Sequence, residues 1–499
     1  MNPIKILLMV ATVCLGLNAK TMADSTKSKA TQKNTVDKLK QSEITPANSV
    51  QSILAQSMQS PNALSPSSLS DRDTDLQEAV QADNIDENSI LETFKSQKDS
   101  PNAMSLRDLL KGVDNNLSLQ ADDLLVRQAS KDKTVAQLSF IPRVDVGYSF
   151  DQQNKGSLSY QTQAAQVTAS VNIFNGFADI NNVRGKEALL QKSVEDRKYL
   201  KESLYLQVIQ QYYAYFTNLA NETSLQQKLK QINEDIDRVS KLYGQGLSTI
   251  DDLESLKAQA SLTEYDIQNA ALSVEQSRLT IKYLTNKDMK GVYVEAIKDP
   301  IYKVEQRADI QSLMYQNQNL SFTNKQLNFY PTLDLSNTYT FNIQVPNYIT
   351  PEQLANPIFG ANFATNLNTL TLTLTYKLFD KIGLGIQKQS LMYSYLATQK
   401  QIDYKKLEQN KDVEFYRKSI EVARNQIISS RAGLESANIS FENIKKKYDS
   451  NLITFADYLQ ALSTKYSAEA TYVQSLNNYE LQKANYIFYS GQDLEDYIK

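Results

Sequence analysis

The chain has 499 residues and a formal net charge of -3, with 14 glycines and 11 prolines, few for that length. It has no histidine, and its only cysteine is Cys14, which removes the usual general base, the commonest metal ligand and thiol nucleophiles. The charge balance offers no basic field for nucleic acid. Disulfides and Cys/His zinc sites are excluded once Cys14 is removed with a leader. No constellation of carboxylate, Ser or Lys residues points to catalysis, so no catalytic, cofactor-binding or metal residue is assigned and no enzyme is expected.

Residues 1–23 read as a secretory signal peptide, with Lys5 ahead of an apolar stretch from Ile6 to Leu17 that is too short to span a bilayer. Cleavage is expected after Ala23, with Ala19 as the alternative. Val13 before Cys14 is a poor match to a lipidation signal. Residues 24–104 are rich in Ser, Gln, Asn, Asp and Lys and poor in aromatics. Such a segment buries too little apolar surface to offset its ordering entropy. It reads as a disordered extension, with a short helix expected near Asp75 to Ala82.

An internal repeat organises the remainder. Phe140-Ile141-Pro142 is answered by Phe329-Tyr330-Pro331, Phe174-Asn175 by Phe379-Asp380, and Lys241-Leu242-Tyr243 by Lys446-Lys447-Tyr448. The last two pairs have the same offset, so the stretch between them keeps one length in both halves and reads as a rigid element. The halves are placed at 105–303 and 304–490, with a short tail at 491–499. Each opens with a helix, followed by a strand hairpin (142–174 and 331–379) and a long helical hairpin.

Period-two alternation marks the strands. Val144, Val146, Tyr148 and Phe150 alternate with Arg143, Asp145, Gly147 and Ser149, and Leu370, Leu372 and Leu374 alternate with Thr371, Thr373 and Thr375. The pattern places Val146, Val171, Leu335 and Leu374 on one side, with Asp145, Asn172, Asp334 and Thr373 on the other. Loops are expected at about 151–165 and 343–366. Apolar residues at helical spacing then run from Ala178 to about Tyr243 and from Ile386 to Tyr448, rods of roughly 100 Å at 1.5 Å per residue.

Both rods end in turn signals. Thr249-Ile250-Asp251-Asp252 and Thr454-Phe455-Ala456-Asp457 have capping-box spacing, and Gly246 and Asn451 stand where a left-handed C-cap residue belongs. Each rod is thus expected to fold back on an antiparallel partner, at 249–285 continued by 304–328 in the first half and at 452–490 in the second. Residues 105–140 are expected to supply the missing upper part of the second return. Four strands are too few to close a barrel alone, so several chains are expected to share one, with the helices continuing it as a tube.

These landmarks, over about residues 105–490, resemble the TolC-like outer-membrane efflux proteins. The residues that carry the resemblance are Pro142 and Pro331, Ile173-Phe174-Asn175-Gly176, Leu378-Phe379-Asp380 and the two Tyr-containing turns. The resemblance implies a mostly helical homotrimer: a shared β-barrel in outer-membrane lipid over a periplasmic helical tube. It also implies docking onto a periplasmic adaptor and an inner-membrane transporter, in efflux or type I secretion of small molecules or proteins. By position, Tyr448, Asp457 and Gln460 become candidates for a periplasmic gate; the second family aspartate falls on Gln460 and the bonding arginine on Ile453. Asp457 is also the capping-box acid, so capping alone stays open. Gly246, Leu247, Ser248, Asn451, Leu452 and Ile453 are candidates for adaptor docking, because Leu247 and Leu452 are apolar where a solvated turn favours polar residues; packing between the two helices is the alternative. The alternative reading is an exported structural coiled-coil protein of the envelope, which explains the rods but not the strands between them.

Overall fold

The computed structural model describes residues 104–498, except 157, 290–291, 345–348, 359–365, 378–379 and 451. The expected leader, the extension with its helix near Asp75, Leu378-Phe379 and the Asn451 cap lie outside the described residues. Those described all lie in the second of two compact units, Asn84–Lys499.

The helices are α1 (Leu106–Gly112), α2 (Leu117–Gln137), α3 (Ala178–Gly244), α4 (Ile250–Thr285), α5 (Ala308–Gln326), α6 (Pro351–Ala355), α7 (Lys381–Asp449) and α8 (Phe455–Tyr489). The strands are β1 (Arg143–Lys155), β2 (Leu158–Phe174), β3 (Thr332–Gln344) and β4 (Asn366–Thr375). The two rods are α3 and α7, of 67 and 69 residues, each about 100 Å long by helix rise. α7 begins five residues before the expected Ile386.

The strands form one antiparallel sheet in the order β1-β2-β3-β4. Val146 lies opposite Val167, Val167 opposite Tyr339, Val171 opposite Leu335, and Leu335 opposite Leu372. Directly paired residues share a face, so Val146, Val171, Leu335 and Leu374 stand on one side of the sheet. Asp145 pairs with Thr168, Asn172 with Asp334, and Asp334 with Thr373, which sets the polar residues on the other. Asn172 Nδ2 donates to Asp334 Oδ1 at 2.6 Å, and the Thr168 and Thr338 hydroxyls meet at 3.1 Å. The apolar face is uncovered: Val146 is 79% exposed and Leu374 69%. β1 and β4 are open edges.

The loop expected at 151–165 is corrected. β1 runs to Lys155 and β2 starts at Leu158, so the connection is Gly156, at φ +63°, and residue 157. Asp151 to Asn154 carry no apolar alternation and look like loop, yet their backbones pair with Thr162 to Ser159. The second connection, from Gln344 to Asn366, contains α6.

At the foot of β2, Gly176 takes φ +67°, and a Cβ there would meet Asn328 Oδ1 at 2.1 Å. Phe174, Phe177 and Tyr330 close around this corner with ring centroids 5.3–6.5 Å apart. The first of the two strand-to-helix landmarks is therefore a packed corner that only glycine fits.

α3 packs with α4, and α7 with α8. α5 lies against both rods: Asn317 Nδ2 donates to Gln399 Oε1 at 3.1 Å and Asn324 Nδ2 to the Lys388 carbonyl at 2.8 Å. α2 runs along α3, joined by Arg197–Asp123 and Lys133–Glu187. It packs on α3 rather than on α7, so within one chain residues 105–140 do not complete the second return as expected.

The main core gathers where α1, α3, α4, the end of α8 and the C-terminal segment meet, around Leu109, Val208, Tyr212, Phe216, Ile281 and Ile487. Residues 292–306, between α4 and α5, have no regular hydrogen-bonding ladder, and side chains take its place. The Tyr212 hydroxyl donates to the Tyr293 carbonyl (2.5 Å) and accepts from the Glu295 N–H (2.9 Å). Lys483 Nζ donates to the Ile297 carbonyl at 2.6 Å, and Glu480 accepts from the Ile297 N–H at 2.6 Å. This strap satisfies backbone groups that burial would otherwise leave unpaired.

Candidate functional site

The two hairpin turns at the far ends of the rods share one backbone hydrogen bond. Gly246, at φ +75°, ends α3: its N–H bonds to the Tyr243 carbonyl, and the Leu247 N–H to the Leu242 carbonyl, both at 2.9 Å. That is a Schellman closure, which needs a left-handed residue at Gly246. In the second turn the Leu452 N–H bonds to the Lys447 carbonyl at 2.9 Å, the counterpart of the Leu247 bond. Leu247 is 71% exposed and Leu452 74%; Ser248 and Ile453 are half-buried. Two apolar side chains therefore project at matching places of the repeat.

The capping boxes differ. Thr454 Oγ1 accepts from the Asp457 N–H at 3.3 Å, and Asp457 Oδ2 accepts from the Thr454 N–H at 3.2 Å and its hydroxyl at 2.6 Å. Thr249 caps the Asp252 N–H at 3.2 Å, but Asp252 does not return the bond and instead accepts from the Ser248 hydroxyl at 3.4 Å. The reciprocal box expected in both turns is complete only in the second. Asp457 and Gln460 are both exposed.

Tyr448 is half-buried and stacks on Tyr458, centroids 4.8 Å apart, with Phe455 at 5.8 Å. The Arg238 guanidinium lies 5.1 Å from its ring centroid. Arg238 also pairs with Asp235 at 3.0 Å and with Asp449. Asp235, almost fully buried, accepts from the Tyr458 hydroxyl at 2.6 Å. Arg238 and Asp235 belong to α3, Asp449 to α7 and Tyr458 to α8, so the cluster ties one helical hairpin to the other. Burial, then the bond to Asp235, raises the Tyr458 pKa well above its usual range. Burial opposes charge on Arg238, but Asp235 and Asp449 outweigh it and hold its pKa above the ordinary value.

The sequence reading names Tyr448, Asp457 and Gln460 but not Asp235, Arg238, Asp449 or Tyr458, which the fold gathers at Tyr448. The only local signal was the helical i, i+3 spacing of Asp235 and Arg238; the bond to Tyr458 spans 223 residues. Among the described residues, no group of three His, Cys, Asp or Glu is placed to hold a metal, and no helix is long and apolar enough to cross a membrane.

Two long helical hairpins flank a small uncovered sheet, and known proteins share this arrangement. Residues 112–287 match the family model described as outer membrane efflux protein. The fold is similar to the CmeC outer membrane channel of Campylobacter jejuni, with a TM-score of 0.68 at 15% identity, covering 83% of this chain and 91% of that one. It is similar to the outer membrane protein VceC of Vibrio cholerae, with a TM-score of 0.67 at 14% identity, covering 78% and 96%. The open state of the MtrE outer membrane channel of Neisseria gonorrhoeae gives 0.63 at 16% identity, covering 78% and 89%. No curated protein matches the sequence. The resemblance to the TolC-like outer-membrane efflux proteins therefore holds in the family match over residues 112–287 and in the fold.

Proposed function

We propose that the chain is one third of an outer-membrane duct, passing small molecules or proteins from a periplasm-spanning pump to the exterior. The observation that carries this reading is the sheet: one uncovered face apolar, the other lined by Asp, Asn and Thr, and both edges open. An apolar face and two free edges are liabilities in water. In a lipid-facing barrel shared among chains, both are satisfied.

The helices support the same closure. Tyr393, Tyr404 and Phe415 on α7 are exposed at intervals of eleven residues, and Tyr265, Leu272 and Leu279 on α4 at intervals of seven. Such spacings keep side chains on one face of a helix. They are unpartnered stripes that a neighbouring chain would cover. In a trimer, β4 and α7 of one chain would meet β1, α2 and α4 of the next.

The turns would then form the periplasmic mouth, about 100 Å from the sheet by helix rise. Leu247 and Leu452, with Gly246, Ser248, Asn451 and Ile453 around them, would meet the adaptor. Tyr448, Asp457 and Gln460, with the Arg238 cluster, would hold the mouth narrow. The test is native mass and single-channel recording of the detergent-solubilised protein. A mass of three chains with conduction is expected; a conducting monomer would overturn the assembly.

A further inference from the structure

A polar cleft of about 380 Å³ opens between α3 and α8, midway between the turns and the strap. That volume is within the range of small-ligand pockets. Its walls are mostly hydroxyl and amide side chains, with Leu225, Ala470 and Tyr466 among them, and no carboxylate lines it.

Lys228 projects from α3 into this cleft with only 9% of its surface exposed. Its ammonium has one hydrogen-bond partner, the Ser463 hydroxyl at 3.4 Å. Among the described residues no carboxylate lies within ion-pair distance of it; Asp266 on α4 acts only from further away. Burial accordingly pulls the Lys228 pKa below its ordinary value, against the weaker pull of Asp266.

A buried ammonium without a counter-ion is costly. The groups beside it suit an anion. Ser463 and Ser467 sit one helical turn apart on α8, and neither hydroxyl donates to an acceptor among the described residues. Other lining groups are already committed, Ser224 to the Tyr466 carbonyl at 2.8 Å and Thr471 to the Ser467 carbonyl at 2.7 Å. The cleft therefore offers one cation and two free hydroxyl donors, and no negative charge.

We propose that this cleft binds a small oxyanion headgroup, a carboxylate or sulfate, at Lys228, Ser463 and Ser467. The headgroup accepts from the ammonium and the two hydroxyls, a charge-assisted arrangement, and an organic body would lie against Tyr466. This site is separate from the turns and does not depend on the duct reading.

The test uses the full chain, detergent-solubilised and crystallised, soaked with selenate or with para-bromobenzoate. The expected result is an anomalous selenium or bromine peak in the cleft of the wild type and none in Lys228→Met. Selenate alone assigns the site to inorganic oxyanions, and both together assign it to an oxyanion headgroup of either source. In solution, sulfate should raise the apparent unfolding midpoint more in the wild type than in Lys228→Met, a difference that cancels the general effect of sulfate on burial. An empty cleft in the wild type, or equal occupancy and equal stabilisation in both proteins, overturns the proposal.

Discussion

Arg238 reaches Asp449, the last residue of α7, while its other terminal nitrogen pairs at 3.0 Å with Asp235 one turn back on α3. The same Asp235 accepts from Tyr458 on α8. One guanidinium and one buried carboxylate thus join three of the four helices at the turn end. Arg suits this place because its planar fork can serve two carboxylates at once.

Replacing Arg238 with Met should destabilise the turn end by about 1–3 kcal/mol, the range for a buried hydrogen-bonding group left short of a partner. Asp449→Asn removes only a half-exposed pair and should cost less than about 1 kcal/mol. If the cluster holds the mouth narrow, Arg238→Met also raises single-channel conductance. Denaturation and single-channel recording of both variants check this; equal losses in the two would remove Asp235 from the account.

Asp457 is where capping and gating can be separated. Its carboxylate accepts from the Thr454 N–H at 3.2 Å, at a helix N-terminus that favours negative charge. Asp457→Ala should destabilise α8 by roughly 0.3–1 kcal/mol, and Thr454→Ala by roughly 0.5–2 kcal/mol. Asp457→Asn keeps an acceptor for the Thr454 N–H. It should fold near-normally and, if three copies line the mouth, weaken block by multivalent cations. Unchanged conduction in Asp457→Asn beside lowered stability in Asp457→Ala would leave the residue a cap alone.

Glu202 on α3 gives a pH dependence with a definite sign. It accepts from the Leu494 N–H at 3.0 Å, tying the C-terminal segment to the rod. Burial pushes its carboxyl from 4.5 up to about 7; the Leu494 bond, Lys198 and Lys201 oppose this and Asp493 adds to it. A raised carboxyl pKa means the folded chain binds more protons than the unfolded one between those values. The stability that Glu202 contributes is therefore greatest below about pH 4.5 and is lost as pH rises towards 7, by at most about 1.4 kcal/mol per pH unit. Glu202→Gln should flatten that part of the pH profile in thermal unfolding, and an unchanged slope would place the dependence elsewhere.

The rods, the strands and the facing of the sheet can be read from the sequence because each repeats one period over many residues. The Schellman turn at Gly246 is readable for a similar reason, since few residues tolerate a left-handed backbone. The Asp235–Tyr458 bond is not, because nothing local marks two residues that meet only after both hairpins fold. The strap at 292–306 reads only as a break between helices. Its partners, Tyr212, Glu480 and Lys483, lie on α3 and α8 and carry no pattern of their own. Lys228 looks in sequence like one more solvated lysine; its burial comes from α8 closing beside it.

The facing of the sheet yields the sharpest test of a membrane barrel. Leu374 lies opposite Leu333 on the apolar face, and Thr373 lies opposite Asp334 on the polar face. Neither face is covered within the chain, so a soluble sheet would tolerate a charge at either position almost equally. In a barrel the two positions differ, because one meets lipid and the other a wet lumen. Leu374→Arg should cost roughly 2–4 kcal/mol if it lies near the bilayer middle, and less towards either interface. Thr373→Arg should instead fold normally and shift conductance or ion selectivity, as three added charges would line the bore. Reversible unfolding in lipid vesicles measures the first effect, and recordings in planar bilayers measure the second. Equal folding of both variants, with no change in conduction, would mean that this sheet does not line a membrane pore.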